Sequence, residues 1–437
     1  MSEAHITSQE EFVVGQTAAL KWVAQLGTAT EEATGQISLI GRPAVAILLE
    51  ELRADRNTAI VKNLLVSMSA FSTNPLVWEL RNPSLQDKAK EVLLLIAEND
   101  PVHVADHCAA ALADEEAAAR AKEILLAIAA KDTKTVALVT KKCLFVMKDP
   151  LSKANALQII HLLMRYNCKA VIDRCARALG NPRLRLHAAE ALESLAEKNP
   201  VLVANRCTGM LYEPDLRASL QLMLLKIAKK ELCVVLKPVL SALTDPERGI
   251  YAAGFIQLLG RDRKNDFPRL VDECLSFIYD KWEQERFGNA VSKALVILSD
   301  SQPKIAVIKC INLYVERPQV ENMLDRTLMQ IAEKYSLSVG THLLVHLRTD
   351  KLRQKCRSLL TQLASQNPEI LKVIETWEDR DHFDRKAIIR EIKIAVGANT
   401  LTGVARDTRI LAKALDAKPQ QKNPEVASPP FAGMRKI

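Results

Sequence analysis

Residues 183–243 read RLRLHAAEALESLAEKNPVLVANRCTGMLYEPDLRASLQLMLLKIAKKELCVVLKPVLSAL. The stretch holds two copies of one unit: an apolar helix, a short turn, a second apolar helix, then a turn with proline. In the first copy, Ala188, Leu192, Leu195 and Ala196 fall on one face of helix A at helical spacing. Val203, Cys207, Met210 and Leu211 make the i, i+4, i+7, i+8 stripe of helix B. Asn199-Pro200 separates the two helices, with proline at a first helical position where a missing N–H costs nothing. One hairpin cannot bury both stripes by itself, but stacked neighbours can.

The unit extends in both directions. An apolar-small pair near the end of helix A marks each copy: Ile96-Ala97, Ile128-Ala129, Leu163-Met164, Leu195-Ala196, Ile227-Ala228 and Leu259-Gly260, then Leu298-Ser299, Ile331-Ala332, Leu363-Ala364 and Ile394-Ala395. The pairs recur about every 32 residues, a period that marks a solenoid. Longer steps before Met164 and before Ser299 suggest loop insertions, the second around residues 261–266. The expected fold is all-α: a right-handed α-solenoid of about ten helical hairpins.

The turns carry a second regularity. Asp149-Pro150 is followed by Lys153, Asn181-Pro182 by Arg185, Glu213-Pro214 by Arg217 and Asp245-Pro246 by Arg248, each opening an apolar helix. This pattern of Pro turn, basic residue and Ala-rich helix resembles the HEAT family of helical-hairpin repeats over roughly residues 60–397. Armadillo-like stacking is the neighbouring possibility, because the units are short and some turns lack proline. The resemblance implies a scaffold, adaptor or transport factor and says little about activity.

Composition agrees with a helical array. The chain has 437 residues, 48% hydrophobic and 26% charged, with 4% aromatics and 14 glycines. That is too long for one compact core, and no stretch alternates as a strand would. The segments expected are capping helices over 1–85, a regular array over 86–279, continued repeats over 280–397, a closing helix over 398–417 and a disordered tail over 418–437. Within the first segment, 28–36 is expected as a polar loop, 58–71 as one helix, and 74–83 as a turn-rich piece around Trp78. MSEAHITSQEEFVV lacks a basic region followed by an apolar core, and no apolar run approaches the ~20 residues of a membrane helix. The expected location is therefore cytoplasmic.

No catalytic motif appears: neither GxSxG, GxxxxGK[ST] nor GxGxxG occurs. The protein is read as a non-enzyme with no cofactor. His103 and His107, and likewise His342 and His346, have i, i+4 spacing that suits zinc, but neither pair has a third ligand in sight. Cys108, Cys175, Cys207 and Cys310 share one repeat position on helix B, with Cys143 and Cys274 on the same stripe, so these thiols read as small core residues.

The candidate site is a column. Just before the helix B cysteine position stand His107, Lys142, Arg174, Arg206, Lys309 and His342, broken by Pro238 and Glu273. One residue earlier stand Asp106, Lys141, Asp173, Asn205 and Asp272. At 100° per residue, Arg206 lies at the edge of the apolar stripe and Asn205 points nearly opposite to it. The HEAT resemblance implies that helix B lines the concave side, which makes these columns a strip for a protein partner. The competing reading is a ladder in which the acid of one unit pairs with the base of the next.

Charge is uneven: about −7 over 1–139, about +9 over 140–266 and about +6 over 267–437. The basic middle third supports a second reading as a nucleic-acid binder, whose affinity would fall steeply with salt. A vesicle-coat or transport adaptor trunk is a third reading.

Overall fold

The computed structural model describes residues 3–279, 281–347, 349–367, 369–372, 374 and 389–397. By their contacts the residues form two units, Met1–Arg263 and Lys264–Ile437. Every described element is helical.

The first unit contains α1 (Glu3–Val23), α2 (Thr30–Ile40), α3 (Arg42–Arg53), α4 (Thr58–Ser67), α5 (Ser69–Trp78), α6 (Gln86–Asn99), α7 (Pro101–Ala110), α8 (Glu115–Ala129) and α9 (Thr133–Val146). It continues through α10 (Pro150–Ala178), α11 (Arg185–Lys198), α12 (Pro200–Gly209), α13 (Pro214–Lys230), α14 (Leu232–Leu243) and α15 (Gly249–Asp262). Helices pack on the next in sequence and on the one two further along, with little contact beyond that. Two layers result. Layer A holds α2, α4, α6, α8, the first half of α10, α11 and α13; layer B holds α1, α3, α5, α7, α9, the second half of α10, α12 and α14. α10 is itself a hairpin: Asn167 leaves the helical region (φ −158°, ψ 91°), and its Oδ1 accepts from the N–H of Ala170 to cap the second half.

The second unit has α16 (Phe267–Ser276), α17 (Lys281–Ser299), α18 (Pro303–Glu316), α19 (Glu321–His346) and α20 (Asp350–Gln366), with the same neighbour-only packing. α19 breaks at Tyr335 (φ −126°, ψ 42°), so it also folds back on itself. Both units are thus all-α helical-repeat solenoids, as the sequence period predicts.

The stripes form the core. Ala188, Leu192, Leu195, Val203 and Cys207 have no exposed surface, and the helix B equivalents Val104, Cys108, Val171 and Cys175 are equally enclosed. Each fully buried Leu or Val contributes about 1.5–3 kcal/mol, and much of that burial comes from the next hairpin. Aspartates start several helices. Asp114 accepts from the N–H groups of Glu116 and Ala117, and Asp132 forms a capping box with Thr135. Proline occupies the first turn of α7, α10, α12 and α13.

Several local expectations are corrected. Residues 28–36 are not a loop: α2 starts at Thr30, with Glu31 and Glu32 in its first turn, where acids suit the helix dipole, and it buries Ala33 and Ile37. It ends at Gly41, whose φ of 71° only glycine adopts without strain. Residues 58–71 are two helices, divided at Met68 (φ −100°, ψ 27°). α5 then runs through Pro75 to Trp78. The donor that Pro75 lacks would have met the carbonyl of Phe71, a residue on the exposed side. The longer step before Met164 lengthens helix B instead of looping out: α9 has 14 residues where α7 and α12 have 10. The segment near 261–266 is largely helical, ending α15 and making a 3-10 turn at Lys264–Asp266. The expected closing helix and tail, 398–437, lie outside the described residues.

Candidate partner-binding face

Both columns lie on layer B in the first unit. Their side chains sit at the flank and the outer side of helices whose inner stripe is closed. Asp106, Lys141 and Asn205 are exposed; His107, Lys142, Asp173, Arg174 and Arg206 are half-buried.

The register between neighbouring B helices joins the columns. Lys142 pairs with Asp106. Arg206 forms a two-pronged bond to Asp173, Nε to Oδ1 at 2.8 Å and Nη2 to Oδ2 at 2.6 Å. That hydrogen bond is the chief reason the Arg206 guanidinium holds its proton more tightly than usual. In the second unit, Lys309 reaches Asp272 at 2.7 Å. Each rung takes its acid from one repeat and its base from the next, and such partly exposed pairs contribute about 0–1 kcal/mol each.

The other members of the columns do not make rungs. Arg174 stands opposite Lys141 in the same register, and among the described residues no carboxylate pairs with it; its Nε is buried without a hydrogen-bond partner. Asn205 faces the position of Pro238. His342 turns back onto its own helix, Nδ1 lying 2.7 Å from the carbonyl oxygen of Ser338. His107 lies edge-on to His103, with ring centroids 4.7 Å apart. Burial, then the neighbouring His103, lowers the pKa of His107. With Asn74, Trp78 and Asp114, His107 lines a cleft of about 350 Å³, whose rim carries Trp78 with Arg81 stacked 4.1 Å from its ring.

No group of three or more metal-ligating side chains occurs among the described residues. The six helix B cysteines are all buried, as their stripe position predicts. Burial pushes the thiols of Cys108, Cys175, Cys207, Cys274 and Cys310 up to about 12, so they do not ionise at neutral pH.

Two structural roles escaped sequence reasoning. After two of the four Pro turns the basic residue is a hook, whereas Lys153 pairs with Glu190 and Arg248 with Asp245 of its own turn. Arg185 Nε donates to the carbonyl of Leu179 at 3.0 Å, and Arg217 Nε to that of Leu211 at 3.0 Å; Arg353 Nε does the same to Leu347 at 3.4 Å. Each satisfies an orphan carbonyl at the end of the preceding B helix. The Pro-turn pattern marks two of these arginines; Arg353 follows a turn without proline and left no such mark. Layer A also has its own rungs, among them Lys90–Glu123 at 2.6 Å, Lys153–Glu190 at 2.9 Å and Lys230–Glu197 at 3.0 Å. Their near-constant spacing of 33–37 residues was the available signal.

No family model matches the chain, and no curated protein matches it. Among solved structures it is similar to a "Circular tandem repeat protein with novel repeat topology and enhanced subunit contact surfaces", at 12% identity over 94% of this chain and 99% of that chain, with a TM-score of 0.21. At that score the likeness assigns neither a family nor an activity. The class rests on the helices themselves: an all-α protein of tandem helical hairpins. No described helix is long and apolar enough to cross a membrane.

Proposed function

We propose that the chain is a non-enzymatic scaffold that holds a protein partner along the outer face of layer B. The observation that supports this most directly is the ladder. Inter-repeat ion pairs bridge neighbouring B helices at Asp106–Lys142 and Asp173–Arg206, while Asp106, Lys141 and Asn205 remain exposed along them. A face preorganised in this way loses little freedom when an extended partner is laid on it. The Pro turns, each followed by a basic residue, are what resemble the HEAT family in the sequence, and that family is rich in such scaffolds.

A nucleic-acid interface has less support. A phosphate backbone requires several free cations in line, whereas Lys142 and Arg206 are neutralised within the ladder.

Site-specific photocrosslinking tests the proposal. A photoreactive residue at Asn205, on layer B, is compared with one at Leu222, an exposed leucine of the layer A helix α13. Adducts to one protein species from Asn205 and not from Leu222 are expected. Equal yields from the two faces, or adducts from Leu222 alone, would place the partner elsewhere.

A further inference from the structure

The ladder of the first unit has a missing rung. Arg206 meets Asp173 across 33 residues of sequence, and Lys142 meets Asp106 two steps earlier. The intervening step, again 33 residues, sets Arg174 opposite Lys141. A base thus stands where each neighbouring rung has an acid. No local carboxylate can compensate. α9 contains no acidic residue, and the only one in the second half of α10 is Asp173, which Arg206 occupies. Arg177, one turn beyond Arg174, is exposed and adds a further positive charge. The cost is visible at Arg174, whose Nε is buried with nothing to bond. A buried donor left in this way costs stability, and the rest of the half-buried guanidinium has no carboxylate beside it and is open to an external acceptor.

We infer that this gap is the anchoring point for an acidic peptide segment of the partner, one carboxylate entering between Lys141 and Arg174 as Asp173 enters beside Arg206. The inference rests on the reading of layer B as a partner surface, and names the chemistry that surface selects. A peptide fits better than a nucleic acid because the gap is single. The rungs on either side are closed, so a phosphate chain would find one site and no track. The gap also has an apolar neighbour: Phe145, one turn along α9 from Lys141, is half-exposed, with the Lys148 ammonium 4.2 Å from its ring. An acidic residue beside an apolar one would satisfy both.

The test uses the full chain and a short fluorescein-labelled peptide with a central Glu-Glu pair beside a leucine, measured by anisotropy at low salt. Lys141→Asp rebuilds the rung, and Arg174→Gln removes the cation. Lys229→Asp makes the same charge change as Lys141→Asp, but on layer A. The peptide should bind the unmodified chain and lose about tenfold or more in affinity to both gap variants, the size of one charge-assisted contact. Lys229→Asp should stay within about twofold, and a Gln-Gln peptide should not bind. Lys141→Asp should also raise the melting temperature, because Arg174 gains an internal partner; a rise shows that any loss of binding is not unfolding. Failure of the Glu-Glu peptide to bind, equal binding to Lys141→Asp, equal binding of the Gln-Gln peptide, or tighter binding of a DNA duplex each overturns the inference. The scaffold reading is judged separately by the Asn205 crosslinks: if they persist in Lys141→Asp, layer B is the surface and the acid-anchoring role falls.

Discussion

Arg217 shows how much one side chain does at a repeat junction. Its guanidinium donates to the carbonyls of Leu211 and Tyr212 and stacks 4.3 Å from the ring of Tyr251. Arg217→Met keeps the stem and removes the donors, and should lower the unfolding free energy by about 1–3 kcal/mol, read from urea titration by circular dichroism. The histidines make a second prediction at this scale. Burial, reinforced by a neighbouring His103 in one case and Lys198 in the other, holds His107 and His161 below the usual 6.5. Unfolding restores that value, so as pH falls the unfolded chain takes up protons first. Stability should therefore drop as pH falls through about 6.5, and level off below the folded values. The melting temperature of a His107→Gln, His161→Gln double variant should vary less between pH 7.5 and 5.5 than that of the parent; an equal slope would assign the dependence to other groups. For the thiols, iodoacetamide at pH 8 should modify the exposed Cys233 and leave Cys108, Cys175 and Cys207 untouched until denaturant is added, as mass spectrometry would show. The burial of these cysteines was legible from their shared stripe position. The hook made by Arg217 was not, because a basic residue after a turn looks the same in sequence whether it meets solvent or a carbonyl.

The helix is the scale at which periodicity speaks most clearly. The A and B stripes of residues 183–243 correspond to α11 through α14, with the expected side chains enclosed. Leu195 sits inside α11 against its neighbours without exposed surface. Leu195→Asp would bury an unpaired charge and should remove amide-exchange protection from α12 and α13 as well as from α11; loss confined to α11 would contradict shared cores. Sequence reading failed where local composition and tertiary context disagree. The polar run 28–36 looked like a loop because only Ala33 within it is buried, and proline at 75 looked like a stop. In α5 the position opposite the core tolerates a missing donor. Helical spacing placed the two columns at the flank and the outer side of the B helices, but which bases find acids depended on register between helices that are 33–37 residues apart.

Taken as a whole, the chain is held by interactions that rarely reach past the adjacent repeat. Its resistance to unfolding should accordingly be graded. Exchange protection in rising denaturant should be lost segment by segment, and one transition shared by every amide would mean longer-range coupling than this packing supplies. The uneven charge was visible in the sequence, yet its meaning was not: much of the basic middle third is spent on rungs and hooks. Those rungs also bear on how such a chain can evolve. Because every closed rung draws its two halves from different repeats, the repeats are not interchangeable bricks. Excising residues 181–212 would bring Asp173 against Pro238 and strand its charge, and a second copy of the Lys141 repeat would open another unmatched seam. Gain and loss of whole repeats, the usual route by which tandem arrays change length, is therefore constrained here to cuts that keep each acid in front of its base.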